Sequence, residues 1–261
     1  MIKVGLIGYG KAGQAVAEVL KEDPRFELVW VAKRNPWPED QPLPLGLPVF
    51  AMSQGDFGEW LDAHPVDALV DFSDADTIHL YGEEVRKRHL TLVSAISAYS
   101  DESLAYARSL GEQARVLCSP NITLGINFVL VASRLMQRLA PYADVEVVEE
   151  HFRDKPETSG TALKLASALG LDPATQVNSI RVGGIVGRHE VIFGLPNQTI
   201  RLIHESISGK AFGQGAMFAA RWLAQQPTGR YTMEEAVRAT FAATLADDLA
   251  AQPAEHVTEL I

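Results

Sequence analysis

The sequence has a single cysteine, Cys118, and lacks any long apolar run. One cysteine excludes an internal disulfide, and apolar stretches well short of ~20 residues argue against a bilayer-spanning helix. Cys118 lies in an apolar stretch before Pro120, which is typical of a buried strand end rather than of a nucleophile. Because Met1 leads directly into a strand pattern without signal-peptide features, we expect a cytoplasmic protein with no membrane partner.

Excess positive charge is also missing, since the formal net charge is −10 at pH 7. Such a charge repels phosphates, so we expect no nucleic-acid partner. The histidines show no metal-ligand spacing, and one cysteine cannot complete a zinc cluster, so we expect no metal. Any anionic ligand must therefore bind through local positive features.

What the sequence does contain is a glycine-rich motif, Gly-Tyr-Gly-Lys-Ala-Gly, at positions 8–13. A buried-strand pattern precedes it, a helix pattern over 14–21 follows, and a second strand pattern covers 26–32. In this context the first glycine permits a tight turn, the second lets the backbone approach a pyrophosphate, and the third allows close helix packing. We predict a nicotinamide coenzyme site that includes Gly8, Tyr9, Gly10, Lys11, Ala12 and Gly13.

The end of the second strand pattern bears on the choice of coenzyme. Coenzymes without a 2′-phosphate are usually held there by an acidic residue, but this chain has Lys33 and Arg34. Two cations favour a 2′-phosphate, so we predict NADPH, with NADH as the alternative. The competing interpretation is that Lys33 and Arg34 only begin a solvated loop.

Strand and helix patterns then alternate as far as position 118. Strands are predicted over 68–72, 91–95 and 115–118, and helices over 76–88 and 102–113. This alternation predicts an α/β fold with a Rossmann-type, doubly wound parallel sheet. Ligands bind at the carboxyl ends of such strands, which adds predicted coenzyme contacts at Phe72, Ser73, Ser94, Ala95, Ile96, Ser119, Pro120, Asn121 and Ile122.

Beyond position 127 the pattern changes to strands that follow one another without helices between them. This predicts a second α+β domain with a mostly antiparallel sheet. We assign 1–125 and 212–261 to the dinucleotide-binding domain. The remaining stretch, 126–211, is the predicted substrate-binding and oligomerisation domain.

The segment 149–163 combines a histidine, a lysine and a helix start. His151 and Lys155 carry transferable protons, and the helix that begins at Ser159-Gly160-Thr161 offers free N–H groups to a carboxylate. We predict that His151 and Lys155 are catalytic and that a small carboxylate substrate binds the helix start. The structural alternative is a buried histidine, a solvated lysine and a simple helix cap.

Together these motifs resemble the dihydrodipicolinate reductase family over positions 1–235. The segments that carry the resemblance are 8–13, Asp71-Phe-Ser73, 119–127, 151–161, 184–193 and 212–223. The resemblance implies that the glycine turn and Pro120-Asn121 hold the coenzyme, that His151 and Lys155 exchange protons, and that Gly160-Thr161 binds a carboxylate. It also implies a homotetramer assembled through the second-domain sheets.

The chain departs from the family at several positions. The family Gly-Thr-Thr-Gly loop is Ser94-Ala-Ile-Ser97 here, and the family His-His pair is His151-Phe152, so Phe152 is a predicted substrate contact. A family arginine is replaced by Gly209, beside Lys210. The alanine-rich stretch after position 235 has no family counterpart.

Three functions remain open from the sequence. The first is NADPH-dependent reduction of 4-hydroxy-tetrahydrodipicolinate in lysine and diaminopimelate biosynthesis, as the resemblance implies. The second is reduction of a different cyclic imine or related acid by a divergent family member. The third is a non-catalytic NADP-binding sensor, against which the presence of His151 and Lys155 argues.

Overall fold

The computed structural model describes residues 1–251, which form two β-sheets flanked by helices. The strands are β1 Ile2–Ile7, β2 Phe26–Lys33, β3 Val49–Ala51, β4 Ala68–Asp71, β5 Thr91–Ser94, β6 Arg115–Cys118, β7 Asp144–His151, β8 Val177–Arg181, β9 Arg188–Leu195, β10 Gln198–Glu205 and β11 Gly229–Tyr231. The helices are α1 Lys11–Glu22, α2 Phe57–Ala63, α3 Ile78–Lys87, α4 Asp101–Ser109, α5 Leu124–Leu139, α6 Gly160–Leu169, α7 Pro173–Gln176, α8 Lys210–Leu223 and α9 Met233–Ala251.

The first sheet is parallel throughout and has the strand order β11-β6-β5-β4-β1-β2-β3. Strand order reverses between β1 and β4, which is the switch point where doubly wound sheets bind their ligands. Apolar clusters cover both faces of the sheet. One includes Leu6, Leu20 and Leu223, and the other includes Trp30 and Tyr81. The predicted fold class is therefore confirmed.

The second sheet has the order β10-β9-β7-β8, and only the β7–β8 pair is parallel. Helices cover one face, where Leu130 of α5 and Leu165 of α6 pack with Val147 and Phe193. The chain enters this sheet through α5 and leaves it through α8, which packs on α1. The predicted mostly antiparallel second sheet is confirmed.

Several boundaries differ from the sequence prediction. Helix α1 begins at Lys11, inside the glycine motif, because Gly10 accepts the first helical hydrogen bond from Gln14. The helix predicted over 102–113 ends at Ser109 and tightens into a 3₁₀ turn, Leu110–Glu112. The sequence patterns did not predict strands β3 and β11 or the one-turn helix α7. Elements this short contain too few residues to show a periodicity.

No helix within residues 1–251 is long and apolar enough to cross a membrane. Positions 252–261, which belong to the predicted first domain, lie outside the described residues.

The glycine motif gives a test of the packing between α1 and β1. A methyl group at Gly13 would lie 2.1 Å from the carbonyl oxygen of Gly8, whereas one at Gly10 meets nothing within 4 Å. We therefore expect Gly13→Ala to lower the free energy of unfolding by about 3 kcal/mol, and Gly10→Ala by at most about 1 kcal/mol. Urea denaturation measures both values, and equal losses would contradict this account.

Candidate active site

The glycine turn sits at the switch point of the first sheet. Gly8 has φ +89°, in the left-handed region, and a Cβ there would lie 2.6 Å from the Phe72 backbone. Gly10 faces open space, so its backbone is accessible to a ligand. The three glycines thus have the local geometry that the motif predicts, with the turn packed directly against the end of β4.

An open cleft of about 650 Å³ lies next to this turn, at the carboxyl ends of the parallel strands. Its wall includes predicted coenzyme residues from four separate segments. These are Ala12, Arg34, Phe72, Ser73, Ala95 and Ile96. The same wall contains Ser97, from the 94–97 loop expected around the coenzyme, and residues given no role from the sequence, namely Asp74, Ala75, Asp76 and Ala98.

The two cations at the end of β2, Lys33 and Arg34, both have neighbours. The Arg34 guanidinium lies 2.7 Å from the Asp74 carboxylate, and both side chains are half exposed. The Lys33 ammonium lies 4.7 Å from the Trp37 ring centroid, and the Trp37 and Tyr9 rings form a T-shaped pair. Asp74 was missed because it follows a different strand, and only the sheet order brings it beside Arg34.

A buried polar cluster supports the floor of the cleft. The Asp71 carboxylate accepts hydrogen bonds from the Ser73 amide and hydroxyl and from the Tyr81 hydroxyl. Burial raises the pKa of Asp71 to about 6, despite these hydrogen bonds. Ser94 is fully buried and bonds the Tyr99 hydroxyl at 2.8 Å. The predicted coenzyme residues Ser73 and Ser94 are thus held in place from below.

The loop after β6 joins the two sheets. The Ser119 amide donates to the Ser94 carbonyl, and the Ser119 hydroxyl donates to the Asn121 carbonyl. On the other side, the Thr161 hydroxyl donates to the Asn121 side-chain oxygen at 2.9 Å. Pro120 and Ile122 lie in this loop, and Ile122 packs into the first core cluster. A predicted coenzyme loop thereby contacts a predicted substrate-binding residue.

The start of α6 is capped by Ser159. Its hydroxyl accepts a hydrogen bond from the Thr161 amide and shares another, 2.8 Å long, with His189 Nε2. A Cβ at Gly160 would meet nothing within 4 Å, so the first turn is open to a ligand. The Gly160 amide and the helix dipole make this turn suited to an anion.

His151 is held by a fully buried carboxylate, Glu149. The Nδ1 atom of His151 lies 2.5 Å from Glu149 Oε2. The Arg181 guanidinium binds both oxygens of Glu149, at 2.8 and 2.6 Å, and the Ser179 hydroxyl and Ser159 amide also donate to it. Burial alone would raise the pKa of Glu149, but these donors outweigh burial and hold it at about 2.

This ionised carboxylate determines which atom of His151 can react. Because Glu149 can only accept, Nδ1 of His151 carries the proton, and Nε2 is the atom left for exchange. A Cβ at Gly187 would lie 3.0 Å from Nε2, so any side chain at this position would crowd that atom.

His189 and Lys155 lie close to this group. The His189 ring is 5.2 Å from the His151 ring, and burial, followed by the charge of His151, lowers the pKa of His189 to about 4. The charge of Lys155 is a smaller cause of the same shift. The Lys155 carbonyl accepts a hydrogen bond from Arg181. Phe152, by contrast, is exposed.

Three residues of this network received no role from the sequence, namely Glu149, Arg181 and His189. Residues 149 and 151 alternate on one strand and so share a face, which was a signal present in the sequence. His189 pairs with Glu149 across β7 and β9, and Arg181 pairs with His151 across β7 and β8. Those pairings depend on strand register between distant segments.

A glycine turn at the switch point of a parallel sheet, with acid–base groups supplied from a second sheet, defines a nicotinamide-dependent oxidoreductase. Family models for the N-terminus and C-terminus of dihydrodipicolinate reductase match residues 2–122 and 122–237. The chain therefore belongs to the dihydrodipicolinate reductase family, and the resemblance found in its sequence is confirmed. Positions beyond 237 lie outside the match.

Individual relatives agree with this assignment. The 4-hydroxy-tetrahydrodipicolinate reductase of Caldanaerobacter subterraneus subsp. tengcongensis is 32% identical over 250 residues, which cover 88% of this chain and 95% of the relative. The enzyme of the same name from Thermosipho africanus is 26% identical and covers 92% of this chain and all of the relative (100%).

A solved structure supports the fold. The dipicolinate-bound dihydrodipicolinate reductase of a Paenisporosarcina species superposes with a TM-score of 0.71 at 21% identity, covering 89% of this chain and 97% of the other.

The buried carboxylate gives a test of the network. Glu149→Gln leaves the Arg181 charge without its partner, so we expect a loss of about 3–5 kcal/mol in the free energy of unfolding. Glu150→Gln is the matched control, because Glu150 lies on the opposite face of β7, where it pairs with Arg188. We expect the control to cost about 1 kcal/mol or less in urea denaturation.

The difference in stability between wild type and Glu149→Gln also depends on pH. The pKa of Glu149 is lowered from 4.5 to about 2, so its ionised form stabilises the fold above pH 4.5, and this contribution disappears as pH falls through about 2. The stability difference between wild type and Glu149→Gln should therefore shrink in acid. A difference that grows in acid would contradict the network.

Proposed function

We propose that this protein is an NADPH-dependent reductase of the cytoplasm that transfers hydride to the C=N group of a small carboxylic acid. The favoured substrate is 4-hydroxy-tetrahydrodipicolinate, in lysine and diaminopimelate biosynthesis. The observation that carries the proposal is the hydrogen bond between Thr161 and Asn121, because it joins the predicted substrate site to the predicted coenzyme cleft.

The residues around the cleft fit a dinucleotide. Gly8 supplies the left-handed turn, Gly10 leaves its backbone open, and the cleft volume of about 650 Å³ is that of a ligand site. Residues of the 8–13 turn would hold the pyrophosphate, and Lys33 and Arg34 the 2′-phosphate. When bound, the nicotinamide supplies the hydride.

Lys155 and His151 are the residues proposed to supply and exchange protons. In this mechanism the Lys155 ammonium donates the proton that balances hydride transfer. His151 exchanges protons through Nε2, because its Nδ1 is fixed by Glu149. Glu149 touches neither substrate nor coenzyme in this scheme and acts only by orienting the imidazole.

The substrate carboxylate binds the start of α6. The Gly160 amide is the proposed donor. Thr161, whose amide donates to Ser159 and whose hydroxyl donates to Asn121, lines the site and holds the turn in place together with Ser159 and His189. Because the low pKa of His189 keeps its imidazole neutral, this support adds no charge next to the substrate.

A second candidate is a sister reductase that acts on an imine with one carboxylate. Gly209 replaces a family arginine, and the neighbouring Lys210 lies 3.0 Å from Glu22 and 3.4 Å from Glu18, on α1. Lys210 is therefore engaged elsewhere and does not substitute for the missing guanidinium. Ile96, buried in the 94–97 loop, also replaces a hydroxyl side chain of the family loop.

We propose that 1–125 and 212–261 form the coenzyme domain and that 126–211 form the substrate and oligomerisation domain. The helices support this division, since α8 packs on α1 whereas α5 and α6 cover the second sheet. A homotetramer through the second sheets is the proposed assembly.

Substitution of the lysine tests the proposed chemistry. We expect Lys155→Ala to lower kcat/KM by about 10²–10⁴-fold with the lysine-pathway imine, with NADPH affinity unchanged. Lys164→Ala, at a lysine paired with Glu234, is the matched control and should retain activity. NADPH oxidation is followed for both variants and for a panel of monocarboxylic imines.

Turnover confined to monocarboxylic imines would favour the sister reductase. Tight NADPH binding without turnover of any imine would favour the sensor and refute the enzyme proposal.

The Arg34–Asp74 pair tests coenzyme preference. Arg34→Gln should raise the dissociation constant of NADPH about tenfold and leave that of NADH nearly unchanged, because only the former has a 2′-phosphate. Asp74→Asn should strengthen NADPH binding, since it removes a negative charge beside Arg34. Fluorescence titration with both coenzymes measures this, and a wild-type preference for NADH would refute the assignment.

A further inference from the structure

The C-terminal half of α9 extends away from the body of the protein. Met233, Ala236 and Val237 are buried and Phe241 is half-buried, but every residue from position 242 to 251 is exposed. These ten residues form about 15 Å of helix. A helical segment of this length is only marginally stable in water unless it packs against something. Its exposed apolar side chains would therefore be stabilised by contact with a partner.

Apolar side chains on α9 recur every four residues. Val237, Phe241, Leu245 and Leu249 form one stripe, and Leu245 and Leu249 are 45% and 72% exposed. Two opposite charges border this stripe. Arg238 lies three residues before Phe241, and Asp248 lies three residues after Leu245.

This pattern is self-complementary when reversed. Reversal of the helix about position 243 exchanges Phe241 with Leu245, Val237 with Leu249, and Arg238 with Asp248. Two copies of α9 in antiparallel orientation therefore place leucine against aromatic ring and aspartate against arginine, twice each by symmetry.

A groove lies at the N-terminal end of α9. It lies between α5 and α9, has a volume of about 450 Å³, and is lined by Val131, Leu135 and Phe241. Its cations are Arg134, Arg138 and Arg238. Arg134 is paired with Glu234, whereas Arg138 and Arg238 have no ion-pair partner within residues 1–251. Glu234 and Glu235 also line the groove, but Glu234 pairs with Arg134 and Glu235 accepts from the Thr232 amide and hydroxyl. Arg138 and Arg238 therefore remain beside the apolar side chains, which matches a segment containing Leu245, Leu249 and Asp248.

We propose that α9 is an association surface whose partner is α9 of a second copy of this chain, paired antiparallel about position 243. The distal half of each helix covers the groove at the base of the other. This contact is distinct from the second-sheet assembly and independent of the proposed reaction. A single helix pair is smaller than a standard interface of ~1,200–2,000 Å², so alone it gives a concentration-dependent association.

Charge reversal tests the antiparallel register. Sedimentation velocity of the full-length protein over a range of concentrations should show about a tenfold weaker association for Arg238→Asp and for Asp248→Arg alone. The double variant R238D/D248R should restore wild-type association, because reversal about position 243 again pairs opposite charges. Asp247→Arg, on the other side of the helix, is the matched control and should have little effect.

Removal of the apolar stripe is the second test. Leu245→Glu should weaken association about a hundredfold, because symmetry repeats the loss in both copies. Circular dichroism checks that this exposed substitution leaves the fold intact. The proposal is overturned if association is unaffected by Leu245→Glu, or if the double charge variant fails to recover while the single variants are impaired.

Discussion

The candidate site depends on one buried charge. The Glu149 carboxylate is fully buried, and a charge removed from water is tolerated only when donors surround it. Its donors come from β7, β8 and the start of α6, so satisfying one side chain brings three segments together. The position of His151 and the position of the turn at the start of α6 follow from the same requirement.

The coenzyme side of the cleft is organised differently. There the backbone determines the geometry, because the Gly8 turn and the end of β4 approach too closely for any side chain between them. Asp71 then holds the residues after β4 from beneath. A rigid backbone turn therefore faces a site built from side-chain hydrogen bonds, and Asn121 and Thr161 connect the two.

The sequence was sufficient to predict both sheets and most of their strands, because parallel and antiparallel sheets leave different periodicities and the glycine turn has a specific context. It also identified His151, Lys155 and the Ser159 helix start as one segment. It could not identify Asp74, Arg181 or His189 as neighbours, because each is brought in by pairing between strands that are distant in sequence. Short edge strands such as β3 were not predicted for a simpler reason, because three residues are too few to show an alternation of apolar and polar side chains.

Strand register in the second sheet has a consequence for folding. On β7, Glu149 and His151 face the site, whereas Glu150 faces outward and pairs with Arg188. A slip of one residue between β7 and β9 would turn every side chain of β7 to the opposite face, leaving Glu149 outside and Glu150 inside without Arg181. That mispaired state would be destabilised because several charged side chains would lose their partners at once. The register that brings Glu149, His151 and Arg181 together is thus also the one in which the charged side chains at this end of β7 are paired.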